Sequence, residues 1–316
     1  MTKTRGPHPS AYRHWLEQPV LAITLLLLFA APFALLSLTG EHRLEVIAED
    51  PTQAAIILAA IILSLLLLAT FSVAITVTLT LWTARRKLGR LRRGAVRVGE
   101  EQFPALHALA QAVSAALDIK TPVTVYLLDT TRLPQPTAPI SVLGVTKPYV
   151  IMLSTALVGD MEPDELRFLL GVEYGHVKLG HVRILTMIDA VSGSLGRVPF
   201  VGGFIRVLFL AWTRLATFSA DRAGLIACGR LDPAYNVLGK LTVGRRFWPE
   251  VNHVALAQQA SRTRGRFFDA ANRTTVPFDT APLGRFQRLA VFSTTPVFHE
   301  LCPDADLSFP YLELWR

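Results

Sequence analysis

The sequence predicts an α+β fold in which two N-terminal transmembrane helices precede a mainly helical domain with a small β-sheet. The first observation is composition: 51% of the 316 residues are hydrophobic and 18% are charged, which is too apolar for an ordinary soluble protein of this length. The second is a pair of long uncharged runs near the N-terminus. The third is that, beyond about residue 100, apolar residues at helical spacing occur together with short β-branched runs, as in a domain that buries its own core.

The two uncharged runs predict membrane spans. No charged residue occurs from Gln18 to Gly40 or from Pro51 to Ala84. Because a helix rises about 1.5 Å per residue, each run is long enough to cross a hydrocarbon core of roughly 30 Å. A cleaved signal peptide is the alternative for the first run, but the run is long and has no clear small-x-small cleavage site. We therefore expect spans at 19–40 and 53–83, the second ending in a tilted or protruding stalk.

The distribution of cations predicts how these spans are oriented. The charged residues of the external loop at 41–52 are mostly acidic, whereas those of the juxtamembrane linker at 84–103 are mostly basic. Cations favour the cytoplasmic side, so we expect a multi-pass protein of the cell inner membrane whose tail at 1–18 and domain at 104–316 are both cytoplasmic. The lipid bilayer is then a partner, and nucleic acid is not, because the basic run adjoins a span and no reading motif accompanies it. The basic residues are Arg85, Arg86, Lys87, Arg90, Arg92, Arg93 and Arg97.

Residue patterns beyond the linker predict the elements of the domain. Apolar residues at helical spacing predict a helix at Pro104–Leu117. Pro163, followed by two acidic residues, marks the first turn of another helix, because proline fits that position and acids favour the positive end of the helix dipole. The β-branched runs predict strands of a small sheet at Val123–Leu128, Ile140–Thr146 and Tyr149–Leu153.

The helix that follows Pro163 carries an altered metal-binding motif. In a HExxH helix, two histidines four residues apart lie on one face and bind a single zinc ion, while the glutamate acts as general base on zinc-bound water. Here the sequence is Val172-Glu173-Tyr174-Gly175-His176, so valine replaces the first histidine. Valine has no atom that can ligate zinc, and without the metal Glu173 has no activated water.

Three stretches in this order resemble the HtpX-like membrane zinc metalloproteases, the family that also contains the CAAX prenyl proteases. They are YVIMLS at 149–154, ELRFLLGVEYGHVKLGH at 165–181 and SADRAG at 219–224. The resemblance covers roughly residues 100–300, behind a two-span anchor of the kind that HtpX-type members share. It implies a gluzincin fold, with a small sheet over an active-site helix and a second helix that supplies the third zinc ligand.

The resemblance assigns roles to individual residues and leaves gaps. His176 corresponds to the second zinc histidine and Glu173 to the general base, while Val172 occupies the place of the first histidine. The family's third ligand is a glutamate four residues before Asp221, the carboxylate that supports the site without ligating the metal, and here that position is Thr217. Near the C-terminus, Ser293-Thr294-Thr295-Pro296 resembles a Ser-Thr-His-Pro stretch of bacterial members, with Thr295 in place of histidine.

Two classes of function follow from these departures. We expect a catalytically inactive pseudoprotease that needs no cofactor and binds a polypeptide client or a partner membrane protein, for instance by addition of a peptide strand to Ile140–Thr146. A further alternative is that the partner is an active relative, and that this chain competes for its substrates or controls its assembly. The alternative is a zinc-dependent endopeptidase of membrane protein quality control, with Glu173, His176 and Asp221 as substitute ligands. A buried polar network of the same three residues is the interpretation that fits an inactive protein.

Other features have plainer interpretations. The glycine-rich apolar segment at 184–216 contains scattered charges, so we expect amphipathic segments that lie on the membrane or cover the cleft, with a core helical hairpin as the alternative. His181 is expected to be structural, on a different face of the helix from His176. Cys228 and Cys302 would face a reducing compartment and are not expected to form a disulfide.

Overall fold

The computed structural model describes residues 13–14, 16–24, 81–130, 138–194, 201–262 and 282–315, with a few separate positions between 59 and 79. The described part of the chain is mainly helical and contains a four-stranded sheet, which confirms the α+β expectation for the domain. It contains no helix that combines the length and the apolar character needed to cross a bilayer. The predicted spans at 19–40 and 53–83 fall mostly outside the described residues, and they stay predictions.

The sheet has the strand order β1-β2-β4-β3. The central strands β2 and β4 are parallel, and the two edge strands are antiparallel to their neighbours. All six residues of β4 are buried, which is consistent with its apolar sequence up to Ser154. The strands are β1 at Val96–Arg97, β2 at Val123–Leu128, β3 at Ile140–Leu143 and β4 at Tyr149–Ser154.

Two details of the sheet differ from the sequence-based expectation. Strand β3 ends at Leu143 rather than Thr146, because Gly144 adopts a φ of 146° and its N–H turns to the hydroxyl of Thr186. Strand β1 was not predicted, since its two residues follow the basic run and carry no alternating pattern. It pairs with β2 through Val96 opposite Leu127, which places β1 and β3 at opposite edges.

Helices surround this sheet and supply most of the core. The N-terminal helix α1 comprises residues 17–24 and α2 comprises residues 81–93. A 3-10 turn occurs at Trp248–Glu250. The other helices are α3 at Pro104–Ala116, α4 at Thr155–Asp160, α5 at Pro163–Leu179, α6 at His181–Ser194, α7 at Val201–Cys228, α8 at Leu231–Val243, α9 at His253–Arg262, α10 at Pro282–Ser293, α11 at Pro296–Leu301 and α12 at Leu312–Trp315.

Helix α5, which carries the altered motif, has well-defined ends. Its first turn contains Pro163 and a capping box in which the side chain of Glu165 accepts a hydrogen bond from the N–H of Glu162 at 2.8 Å. The ammonium of Lys240 lies 2.7 Å from the same Glu165 carboxylate. The helix ends at Gly180, whose φ of 79° is the left-handed conformation that glycine adopts at low cost.

Helices α5 and α7 approach each other closely through small residues. A Cβ atom added to Gly171 would lie 2.8 Å from Cα of Gly224, and one added to Gly175 would lie 2.6 Å from Cβ of Ala223. Neither distance is tolerable between carbon atoms, so both positions on α5 require glycine in this arrangement. The contact brings the motif on α5 directly against the segment of α7 that contains Thr217 and Asp221.

The segment predicted to be a membrane-associated hairpin, 184–216, forms α6 and the first part of α7. Apolar side chains of the two helices form a buried cluster that includes Ile188 and Trp212. Val20 and Leu21 of α1 pack on this cluster, so the N-terminal segment is attached to the hairpin. Residues 195–200 lie outside the described residues, and contact of the hairpin with a membrane stays a prediction.

Candidate active site

At the position of the first zinc histidine, the chain has an apolar side chain that packs between two helices. Val172 is 5% exposed and belongs to the main hydrophobic core. Its Cγ2 atom lies 2.7 Å from the place where a Cβ of Gly224 would be, so the valine side chain rests on the glycine backbone of α7. The valine therefore contributes packing at this position and offers no donor atom.

The position of the third ligand also lacks a metal donor. Thr217 lies on α7, and its hydroxyl donates a hydrogen bond to the carbonyl oxygen of Thr213, one turn earlier, at 2.8 Å. This bond within the helix is a common way for threonine to satisfy its hydroxyl. Thr295, which matches a histidine of bacterial family members, is the N-cap of α11 and accepts a hydrogen bond from the N–H of Phe298. Both threonines thus have local structural partners.

His176 is buried and bonded to a second histidine. Its Nδ1 atom lies 3.0 Å from Nδ1 of His181, and burial lowers the pKa of His176 well below the usual value, with further lowering from His181 and Arg285. His181 was expected on a different face of the helix. That expectation was wrong because α5 ends before it: the left-handed Gly180 turns the chain and returns His181 to the motif.

A glutamate from the N-terminal segment completes this chain of buried groups. Glu17 is fully buried, and its Oε1 atom lies 2.7 Å from Nε2 of His181. Ser219 donates to the other oxygen of Glu17 at 2.6 Å, and Arg13 lies 3.4 Å from Oε1. Because a carboxylate accepts only, Nε2 of His181 is the donor. When His181 is neutral, His176 therefore donates from Nδ1 and keeps a lone pair on Nε2.

Glu17 was not predicted to belong to the site, because it precedes an uncharged run and is part of no motif. Burial acts to raise its pKa, but hydrogen bonds from His181 and Ser219 and the charges of His181 and Arg13 together hold the pKa below the usual value. Glu17 lies just before a predicted span, and its partners Ser219 and His181 come from distant parts of the chain. No sequence pattern identifies such a residue.

Glu173, the counterpart of the general base, is buried beside the edge strand β3. Burial raises the pKa of Glu173 to about 7, and the nearby carboxylate of Asp221 adds to this effect. The backbone N–H of Val142 donates a hydrogen bond to Glu173, and this bond and the charge of Arg285 act in the opposite direction. The carboxyl group therefore holds its proton to a much higher pH than an exposed glutamate, and it connects α5 to β3.

Asp221 is held by an arginine that sequence reasoning did not identify. Arg285 of α10 donates from Nε to Oδ2 of Asp221 at 2.9 Å and from a terminal nitrogen to Oδ1 at 2.5 Å. This two-pronged geometry is the preferred one for an arginine and a carboxylate. The guanidinium also influences the pKa of Glu173 and of His176, so a fixed cation lies beside the motif.

The residues present do not fit a zinc ion. Zinc sites in proteins use three or four nitrogen, sulfur or carboxylate donors. Within the described ranges, no group of three or more histidine, cysteine, aspartate or glutamate side chains is arranged to hold a metal ion. The three substitute ligands suggested by the sequence have other partners: Glu173 is bonded to β3, His176 to His181, and Asp221 to Arg285.

The predicted membrane-proximal basic residues lie on α2 or directly after it. Arg85, Arg90 and Arg93 lie on α2. Lys87 lies 2.5 Å from Asp189 of α6, which connects α2 to the hairpin. The guanidinium of Arg86 lies 3.7 Å from the ring centre of Trp82, and that of Arg92 lies 6.0 Å from the ring centre of Tyr126. Binding of lipid headgroups by these residues stays a prediction.

Comparison with known proteins identifies the family. The profile described as Peptidase family M48 matches residues 100–300. The chain is 29% identical over 212 residues to the plastoglobule-localized metallopeptidase 48, chloroplastic, of Arabidopsis thaliana, an alignment that covers 66% of this chain and 56% of that protein. No solved structure matches. The HtpX-like resemblance of the motif helix and of the segment around Asp221 is thereby confirmed, and the chain belongs to peptidase family M48.

Proposed function

We propose that this M48 family member is a pseudoprotease: it does not hydrolyse peptides by the zinc route, and it binds a polypeptide or a partner membrane protein. The contact of Val172 with Gly224 carries the proposal, because it turns a ligand position into part of the packing between α5 and α7. The hydrogen bond of Thr217 to its own helix supports it at the second altered position.

The magnitude of the losses favours inactivity. Removing a residue that merely orients a metal ligand typically weakens metal affinity by about 10-fold to 100-fold, and the loss of two ligands costs more. Without a metal, a water molecule near Glu173 keeps its ordinary, very weak acidity, whereas zinc-bound water has a pKa of about 7.

Polypeptide binding is proposed to use one edge of the four-stranded sheet. Strand β3 is at that edge, and backbone groups at an edge pair readily with an added strand. The outward N–H groups of Val142 and Gly144 are bonded to Glu173 and Thr186. A bound strand is therefore expected to pair with the beginning of β3, around Ile140, unless these two bonds open.

A crosslinking experiment tests this part of the proposal. A photoreactive amino acid is placed at Ile140 in the full chain, and a matched control carries it at Val96 on the opposite edge strand, which is exposed. The proposal predicts a discrete crosslinked polypeptide from Ile140 and none of the same mass from Val96. Equal yields from both sites, or no adduct from Ile140, would contradict binding at β3.

The alternative is a working zinc endopeptidase; the name of the Arabidopsis relative describes that protein as a metallopeptidase. Its support is that His176 can keep a lone pair on Nε2 and that the pKa of Glu173, about 7, suits a general base. This activity must disappear in Glu173→Gln and after treatment with a chelator. Hydrolysis of a peptide library that is abolished by both would establish the alternative; hydrolysis unaffected by both would identify a contaminating protease.

We also propose that the chain is anchored in a membrane with both termini on the cytoplasmic side. The uncharged runs at 19–40 and 53–83 and the basic residues of α2 support this arrangement. Alkaline extraction of membranes should leave the protein in the pellet. Protease added to inside-out vesicles should remove epitope tags at both termini, whereas release of the protein by alkaline buffer would contradict the anchor.

A further inference from the structure

A groove of about 490 Å³ lies between α3, α4 and the first two turns of α5. Eight of its nine lining residues are apolar, and three of these, Ala105, Ala108 and Ala112, are exposed on one face of α3. The buried side chains of Leu106 and Leu166 lie at its base. Sites for small molecules typically have volumes of roughly 300 to 1,000 Å³ and mostly apolar walls, so this groove is large enough to hold one.

Arg167 of α5 is the one charged residue among those that line the groove. Its Nε atom is buried and has no hydrogen-bond partner, and no carboxylate of the described residues forms an ion pair with it. Asp164, one turn earlier on α5, is bonded to Arg230 at 3.0 Å instead. Burial raises the pKa of the Cys228 thiol near Arg167 to about 12, so this group is neutral. The groove therefore combines an apolar wall with one cation that has no anionic partner in the described part of the chain.

The helical walls favour a hydrocarbon chain over a polypeptide in this groove. Backbone N–H and C=O groups of a helix bond mostly within the helix, so the walls offer few partners to an extended peptide, whose polar groups would be buried at a cost. A partner helix is about 10 Å across, and two turns of it fill roughly 800 Å³, more than the groove holds. A hydrocarbon chain has no polar groups that need partners, and its burial is favourable.

The groove lies at the end of α5 that is far from the N-terminal segment. Pro163 of the groove begins this helix, whereas Glu17 of α1 is bonded to His181, just after the helix ends. A helix of 17 residues is about 25 Å long. We therefore expect a ligand to reach the groove from the aqueous side, and not from the bilayer that the predicted span at 19–40 enters.

We propose that this groove binds a fatty acid with an unbranched chain of medium length. Arg167 binds the carboxylate through its paired donors, a geometry that the planar guanidinium group favours. The chain lies along α3 between Ala105 and Ala112, a distance of about 10 Å, and packs on Leu109 and Val158. The groove includes neither the altered ligand positions nor strand β3, so the proposal does not depend on the loss of zinc or on peptide binding.

Photolabelling of the full chain tests this site. The protein is placed in nanodiscs of phosphatidylcholine, which has no net charge and replaces the detergent, and is irradiated at pH 8 with decanoate that carries a diazirine in its chain. Mass spectrometry then locates the labelled peptides. We expect labels on α3 and on α4. Unlabelled decanoate should compete at least about tenfold more strongly than decanol, because the alcohol lacks the charge that Arg167 binds.

A first variant removes the cation. Arg167→Gln should weaken decanoate labelling of α3 by about tenfold or more, because the hydrogen bonds to a charged carboxylate are lost. Arg97→Gln is the control, since Arg97 is exposed on β1 and is not part of the groove. Equal labelling of these two variants would show that Arg167 does not bind the carboxylate and would overturn the proposal.

A second variant fills the groove. Ala108→Leu/Ala112→Leu should abolish labelling of α3 by decanoate. Its matched control is Ala115→Leu/Ala116→Leu, which adds the same side chains at exposed positions of α3 outside the groove. Alanine and leucine both favour helices, so both variants should remain folded, and thermal unfolding verifies this. Labelling that is equal in the filled variant and its control, or that decanol suppresses as well as decanoate, would overturn the site.

Native mass spectrometry of the same variants identifies a different occupant. If decanoate does not label α3, and only Ala108→Leu/Ala112→Leu lowers the oligomeric mass, the groove is a contact between copies of this chain. That result would also overturn the proposal, because the groove would then be filled by protein and not by a fatty acid.

Discussion

The buried carboxylate of Glu17 accepts a hydrogen bond from His181 at 2.7 Å, and His181 in turn contacts His176 of the altered motif at 3.0 Å. A residue that precedes the first predicted span is therefore connected through two imidazoles to the centre of the M48 domain. Val20 and Leu21 extend the same contact by packing on the cluster between α6 and α7. The N-terminal segment is part of the folded domain and not only a tether.

Glu17→Gln should destabilise the domain in a pH-dependent manner. The folded-state pKa of Glu17 is below its usual value of 4.5. The ionised side chain therefore adds to the free energy of unfolding above pH 4.5, and this stabilisation is lost as the pH falls through the folded-state pKa. We expect a loss on the order of 2 kcal/mol at pH 7, since a buried charged acceptor loses its ionic hydrogen bonds. Thermal unfolding from pH 7 to pH 3 measures the difference, with the exposed Glu300→Gln as control. A difference that does not depend on pH would contradict this role.

Glu173→Gln should become relatively more stable than the unaltered chain as the pH rises. Because the pKa of Glu173 is raised from 4.5 to about 7, the folded state holds the proton more tightly, and ionising it costs stability between pH 4.5 and 7. Glutamine does not ionise and avoids this cost, which adds up to about 3 kcal/mol between pH 4.5 and 7. Unfolding curves at pH 5 and pH 8 check the sign. A constant gap between the two proteins would show that Glu173 has an ordinary pKa.

Gly175→Ala should disrupt the close approach of α5 and α7. Its added Cβ would lie 2.6 Å from Cβ of Ala223, which forces the helices apart at an expected cost of about 1 to 3 kcal/mol. Gly159→Ala in α4 is the control, because no atom lies within 4 Å of its added Cβ and alanine favours a helix by up to about 1 kcal/mol. Chemical denaturation of both variants gives the comparison, and equal stability would refute the packing described for α5 and α7.

Arg285→Leu should leave Asp221 buried without its cation, which typically costs about 3 to 5 kcal/mol. The double variant Asp221→Leu/Arg285→Leu removes both charges and should recover a large part of that loss. A double-mutant cycle on thermal unfolding measures the coupling. Additive effects of Asp221→Leu and Arg285→Leu would mean that the ion pair contributes nothing specific to the site.

The sequence predicted the parts of this structure that depend on local patterns. The motif helix, its start at Pro163 and three of the four strands follow from periodicity and capping signals, and the structure agrees with them. It did not predict Arg285, which reaches the motif from α10, or Glu17, which reaches it from α1. Those contacts join residues far apart in the chain, and no local pattern encodes which distant side chain will meet a buried carboxylate or imidazole.

His181 shows where local reasoning fails even at short range. A continuous helix would have placed a residue five positions after His176 on another face, but one left-handed glycine changed the direction of the chain. The altered ligand positions, in contrast, were readable from the sequence. Val172 and Thr217 cannot become zinc ligands by any adjustment of their rotamers, and the structure supplies each with a packing or hydrogen-bonding partner.

The zinc content of the purified protein distinguishes an inactive M48 protein from one with substitute ligands. The full chain is purified in detergent, dialysed against metal-free buffer and analysed for bound metal beside the Val172→His/Thr217→Glu variant, with circular dichroism to confirm that both are folded. We expect well below one zinc ion per unaltered chain, because Val172 and Thr217 occupy two ligand positions, and a higher zinc content in the variant. Zinc close to one ion per chain in the unaltered protein would show that other residues bind the metal and that the protein is not a pseudoprotease by loss of zinc.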